Sequence, residues 1–116
     1  MKKVLVVDDD QNILEVVKFI LASHDFDVFT LSKSLNVPEV VLHYQPNLIL
    51  LDILLPGKLG TQICNELKQI HTDIPIILFS AHAQHGKASD IYSADAFIKK
   101  PFDIKHLINT IKLYIN

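Results

Sequence analysis

Five side chains in this 116-residue sequence are of types that could share one piece of chemistry. Asp8 and Asp9 close a short apolar run, Val4 to Val7, and Asp52 closes a second and stronger one, Asn47 to Leu51. Ser80 follows the run Ile74 to Phe79, and Lys100 follows Ala96 to Lys99. Two like charges about 4 Å apart repel by about 4 kcal/mol at an effective dielectric near 20, so three carboxylates gathered at one crevice call for a cation among them. A few hard oxygen ligands suit Mg2+ (or Mn2+); Mg2+ keeps several waters and takes a phosphate as a further ligand. A hydroxyl at Ser80 and an ammonium at Lys100 would complete a constellation fitted to a phosphoryl group: a carboxylate nucleophile, a metal, a hydrogen-bond donor and a positive charge.

These residues meet only if the apolar runs are neighbouring strands. Lys3 to Val7 is continuously apolar after its lysine and rich in β-branched residues, the pattern of a strand buried on both faces. Gln11 to His24 has helical periodicity in Ile13, Val16, Val17, Ile20 and Leu21, with Asp9 or Asp10 as N-cap. Asp27 to Thr30 reads as a weaker strand. Asn36 to Tyr44 reads as a helix capped by Asn36, with Pro38 in its first turn and Pro46 beyond its end. After the loop Leu55 to Lys58, residues Ile63, Leu67 and Ile70 mark a third helix, and Pro75 opens the fourth strand where a missing N–H matters little. The polar stretch Ala83 to Tyr92 reads as a fourth helix. Asp103 is placed to cap a fifth, with Ile104, Leu107, Ile108, Ile111 and Ile115 on one face.

Five strand–helix units of this kind predict an α/β fold, a parallel sheet with helices on both faces. Right-handed crossovers favour the doubly wound, flavodoxin-like order 2-1-3-4-5. Ligands in such sheets sit at the carboxyl ends of the strands where the winding reverses, here between the first and third. Asp8, Asp9 and Asp52 occupy those ends.

The composition, 49% hydrophobic and 21% charged with a formal charge of -2, is that of a globular domain and gives no general reason to expect nucleic acid or membrane as partner. Cys64 is the lone cysteine, so no intrachain disulfide is possible, and its mid-helix place beside the apolar stripe predicts a packing role. No signal peptide and no membrane-length apolar segment are recognisable, so a soluble, cytoplasmic protein is expected. His82 and His85 lack acidic or cysteine partners at metal-binding spacing and are expected at the surface.

Val-Asp-Asp at 7–9, Leu-Asp at 51–52 with Leu-Pro at 55–56 and Gly60, Ser-Ala at 80–81 and Lys-Pro-Phe at 100–102 resemble the receiver domain of bacterial response regulators. The motifs run in order, at the family's spacing, over nearly the whole chain. The resemblance implies a single receiver domain over 1–116 with no effector domain, taking part in phosphorelay signal transduction. Asp52 would be the phosphoacceptor, forming an aspartyl phosphate at the expense of a phosphohistidine on a sensor histidine kinase or histidine phosphotransfer protein. Asp8, Asp9 and Asp52 would hold Mg2+ with the backbone carbonyl of Leu54, Asp9 being the more direct ligand of the acidic pair. Lys100 would pair with the phosphoryl group or with Asp52. Ser80 would bond a phosphoryl oxygen, with Phe97 as the aromatic that changes rotamer, and the Lys100–Pro101 bond would be cis. A downstream protein would be met through the fourth helix, fifth strand and fifth helix. Leu59 stands where a small polar or acidic residue is common, Ser80 where Thr is, and Phe97 where Tyr is frequent. An apolar Leu54, two residues past the acceptor, would hinder in-line water and slow autodephosphorylation.

Three other functions compete. An aspartyl phosphohydrolase typically needs a second acid two residues after its nucleophile, where this chain has Leu54. A flavin or nucleotide binder on the same fold would want a Gly/Ser/Thr-rich loop after the first strand, where Asp8-Asp9-Asp10 would repel phosphate. A pseudo-receiver scaffold is the closest rival, but such proteins usually lose the acceptor, the lysine or part of the acidic pair, and all are present. The expectation is a phosphoacceptor switch rather than an enzyme.

Overall fold

Alternation within the strands sorts the core into two layers. A computed structural model of the chain describes residues 1–81 and 93–115. In β1 (Lys3–Val7), Val4 and Val6 face one side of the sheet and Leu5 and Val7 the other. β3 (Leu48–Asp52) and β4 (Ile76–Ser80) repeat the scheme, with Leu48, Leu50, Ile77 and Phe79 on the first side and Ile49, Leu51, Ile76 and Leu78 on the second. Such two-sided burial is why these runs read as continuously apolar.

The strands are all parallel, in the order β2-β1-β3-β4-β5, with β2 at Asp27–Leu31 and β5 at Ala96–Lys99. On one face lie α1 (Gln11–Ser23), through Leu14, Val17, Ile20 and Leu21, and the C-terminal helix (Ile104–Tyr114), through Leu107, Ile108 and Ile111. On the other lie α2 (Val37–Tyr44), through Val37 and Val41, and α3 (Gly60–Ile70), through Ile63, Cys64 and Leu67. The flavodoxin-like α/β fold and strand order expected from the sequence are thus present. The expected fourth helix, with His82 and His85, lies outside the described residues. Among the described residues, no helix is long and apolar enough to cross a membrane.

Several local expectations need correction. Val16, Ile70 and Ile104 were expected on buried stripes, yet they are 51%, 74% and 52% exposed. Helix α1 is rotated so that Leu14 takes the inward place, and Ile70 and Ile104 lie at helix ends, where the stripe runs off the sheet. Of the two N-cap candidates for α1, Asp10 is the one that serves, accepting a hydrogen bond from Asn12 N at 2.9 Å. Asn36 and Asp103 occupy N-cap positions but make no side-chain capping bond; the Asp103 carbonyl accepts from Leu107 N at 2.9 Å. Cys64 is buried, as expected of a packing residue, and burial pushes its thiol pKa up.

Asp95, just ahead of β5, ties the opposite pole of the sheet together. Its carboxylate accepts from Ile76 N at 2.8 Å and pairs with Lys68 of α3 at 2.7 Å. Its carbonyl accepts from the Tyr114 hydroxyl at 2.8 Å. One residue therefore joins α3, β4, β5 and the C-terminal helix.

Candidate functional site

The carboxyl ends of β1 and β3 bring the predicted acids together. One carboxylate oxygen from each of Asp8, Asp9 and Asp52 lies within 4.8 Å of the others. Asp8 is fully buried, Asp52 nearly so, and Asp9 opens to solvent. Asp8 is locally fixed: its backbone N–H donates to Leu31 O at 3.0 Å, and its Oδ1 accepts from Asp10 N at 2.9 Å, a turn that also starts α1. Asp52 ends a strand buried along its whole length, and its carboxylate accepts the backbone N–H of Leu54.

Gly60 closes the floor beneath Asp52. Its N–H donates to Ile53 O at 2.7 Å, so the start of α3 lies directly against the end of β3. A Cβ there would stand 2.1 Å from the Asp52 carbonyl oxygen and 2.9 Å from Ile53 Cα. The requirement is close approach of backbone to backbone rather than an unusual φ. Leu59, next to it, is 44% exposed in the loop.

Lys100 arrives from the far end of β5, its backbone N–H bonded to Ser80 O at 2.8 Å and its peptide bond to Pro101 cis. The ammonium lies 2.5 Å from Asp8 Oδ2 and 3.7 Å from Asp52 Oδ2. Pairing with the phosphoryl group or with Asp52 was the expectation; the ion pair with Asp52 is present, and the hydrogen bond goes to Asp8. A feature the sequence did not announce lies underneath: the ammonium sits 4.4 Å from the centroid of the Phe79 ring. Phe79 in turn packs against Phe102, centroid to centroid 6.5 Å. In a buried apolar strand an aromatic reads as core, and only the neighbouring lysine gives it a second aspect.

Ser80 ends β4, buried beside the same crevice. Phe97 pairs in register with Leu78 and is half buried against the α2/α3 layer. Lys99 points to solvent, and Leu54 is partly buried against the α2/α3 layer.

Burial raises the Asp52 pKa from 3.8 to about 6. Lys100 opposes that rise, Asp8 and Asp9 add to it, and the Leu54 N–H works against it. Among the described residues the crevice thus concentrates three acids around one lysine, a surplus of negative charge with Asp9 on its open side. Clustered hard carboxylate oxygens with access for water are the donor set that suits Mg2+ or Mn2+.

The family model for the response regulator receiver domain matches residues 4–112. Among solved structures, the Thermotoga maritima response regulator TrrA in complex with Mg2+ and BeF is 28% identical over 99% of this chain and 100% of that one, with a TM-score of 0.94. TrrA in complex with the histidine kinase ThkA matches at 28% identity over 100% of both chains, with a TM-score of 0.92. A CheY-like receiver domain protein from Methanospirillum hungatei matches at 28% identity over 97% of this chain and 92% of that one, with a TM-score of 0.92.

Proposed function

We propose, from the premise that this chain belongs to the response regulator receiver domain family, that it is a phosphoacceptor switch whose acceptor is Asp52. The observation that carries the reading is the convergence of Asp8, Asp9, Asp52 and Lys100 from three strands on one crevice, with Ser80 at the end of a fourth strand beside it. The donor is a phosphohistidine on a histidine kinase or histidine phosphotransfer protein, in keeping with the kinase complex of TrrA. The metal is Mg2+ or Mn2+, held by Asp8, Asp9, Asp52 and the Leu54 carbonyl, in keeping with the Mg2+–BeF complex of the same relative. When bound, it supplies charge neutralisation for the phosphoryl oxygens.

The chain's own groups do the rest. An Asp52 oxygen attacks the phosphorus, and the bond from phosphorus to the histidine nitrogen breaks, leaving its electron pair on the imidazole. Lys100, 3.7 Å from the Asp52 carboxylate, places a positive charge where phosphoryl charge develops. Ser80 donates its hydroxyl to a phosphoryl oxygen, and Phe97 adjusts as Ser80 moves. The altered face, to which β5 and the C-terminal helix contribute, addresses a downstream protein. Nothing in this scheme turns over a substrate beyond the chain's own acyl phosphate, so it is a switch rather than an enzyme. Its setting is cytoplasmic, where histidine kinases present their phosphohistidine.

Acetyl phosphate with Mg2+ should add one phosphoryl mass to the wild-type chain and none to Asp52→Asn, read by intact-protein mass spectrometry. An unchanged wild-type mass would leave a protein-interaction scaffold as the better reading.

A further inference from the structure

Among the described residues, the cation of the crevice, Lys100, rests on a ring rather than on a hydrogen-bonding floor. Lys100 Nζ lies 4.4 Å from the Phe79 centroid, and Phe79 is fully buried. The lysine side chain is 14% exposed, so water can solvate the ammonium only in part. Desolvation strengthens the attraction between a cation and the negative face of an aromatic ring. Phe79 cannot turn away freely, because it is wedged in the α1 side of the core and against Phe102.

We propose that Phe79 is the positioning residue for Lys100, holding its ammonium between Asp8 and Asp52 while the hydrogen-bonding partner changes. This inference rests on the phosphoacceptor reading above and deepens it. In the described geometry the ammonium bonds Asp8 at 2.5 Å, whereas the phosphoryl group would be carried by Asp52, 3.7 Å away. Lys100 must therefore redirect its N–H donors from Asp8 toward the Asp52 side without leaving the crevice. A floor of hydrogen-bond acceptors would fix the ammonium in one orientation. An aliphatic floor would leave its charge without compensation on that side. A ring face attracts the charge whichever way the N–H bonds point, so the ammonium swivels with little loss.

The test replaces Phe79 with phenylalanines carrying one, two and three ring fluorines, which keep the shape and progressively drain the ring face of negative charge. Beryllofluoride affinity at saturating Mg2+ is measured by titration, together with Mg2+ affinity alone and the urea midpoint. Beryllofluoride binding should weaken stepwise, to about fivefold with three fluorines, while Mg2+ affinity and the midpoint stay put. A Phe79→Leu variant should weaken it at least as far. Unchanged beryllofluoride affinity along the series overturns the inference, as does a loss that tracks the unfolding midpoint, since the ring would then act by packing alone. Failure of the wild type to take up beryllofluoride at all sinks the phosphoacceptor reading and this inference with it.

Discussion

Replacing Asp52 by asparagine should make the metal-free protein more stable at neutral pH, although it removes the proposed acceptor. The Asp52 pKa is about 6 in the folded chain against an ordinary 3.8. An acid whose pKa rises on folding stabilises the native state fully only below its unfolded value, and that contribution is lost as pH climbs through the folded one. The window is therefore pH 4 to 6. Above it, ionised Asp52 costs up to about 3 kcal/mol, at 1.36 kcal/mol per pKa unit. Asp9 opens the crevice to water and screens part of this, so about 1.5–3 kcal/mol is expected at pH 7.5. Asparagine keeps an oxygen to accept the Leu54 N–H, and Lys100 keeps Asp8 as its partner. Urea denaturation followed by circular dichroism, in EDTA at pH 7.5, 6 and 4.5, reads the difference directly. The gap should shrink toward pH 4.5. Mg2+ should then reverse the order at pH 7.5, since a ligand at about a thousand times its Kd adds about 4.1 kcal/mol to the species that binds it. An Asp52→Asn variant that is less stable than wild type in EDTA at pH 7.5, or a gap that does not depend on pH, would refute the electrostatic account of the crevice.

Three further outcomes are expected. Gly60→Ala drives a methyl into the Asp52 carbonyl and should destabilise the fold by about 2–4 kcal/mol by urea titration, with weaker Mg2+ binding than wild type; a change under about 0.5 kcal/mol would show that α3 can simply retreat. Leu54→Asn should shorten the lifetime of the phosphorylated chain by several-fold, because an apolar side chain beside the acceptor gives way to one that can orient water; a phosphoprotein that decays no faster than wild type would end that idea. Lys68→Met removes the pair with Asp95 and a donor to the Ile74 carbonyl, and should lower stability by about 0.5–1 kcal/mol at low salt; unchanged midpoints would make the pair dispensable.

The placement of the acids was legible because a charged residue at the end of a fully buried run has only the sheet's rim to occupy. Asp8, Asp9 and Asp52 are such residues, and the strand order follows from parallel pairing and crossover handedness. Which acid Lys100 would choose was not legible: its strand-end position fixes the neighbourhood, while Asp8 and Asp52 are separated there by little more than an ångström of reach. The Phe79 seat was hidden for a related reason, since apolar periodicity cannot distinguish a ring that fills space from one that also faces a cation. Helix stripes misled where geometry departs from a flat template. A 3.6-residue period gives Val16 and Leu14 nearly equal claim on the inner face of α1, and packing against the sheet decided for Leu14. Capping failed similarly at Asn36 and Asp103, whose residue type signals a helix start without guaranteeing the side-chain bond.

Asp8 and Lys100 are partners 92 residues apart, a separation with a bearing on synthesis. At roughly 5–20 residues per second, an emerging chain exposes its acidic pair about five to twenty seconds before its lysine exists. During that interval the acidic pair lacks the lysine that neutralises it in the finished fold. A chain cut short ahead of β5 would keep Asp8, Asp9 and Asp52 yet lack the lysine that pairs with two of them. The order of translation thus leaves the crevice without its Lys100 pairing until the final strand has docked.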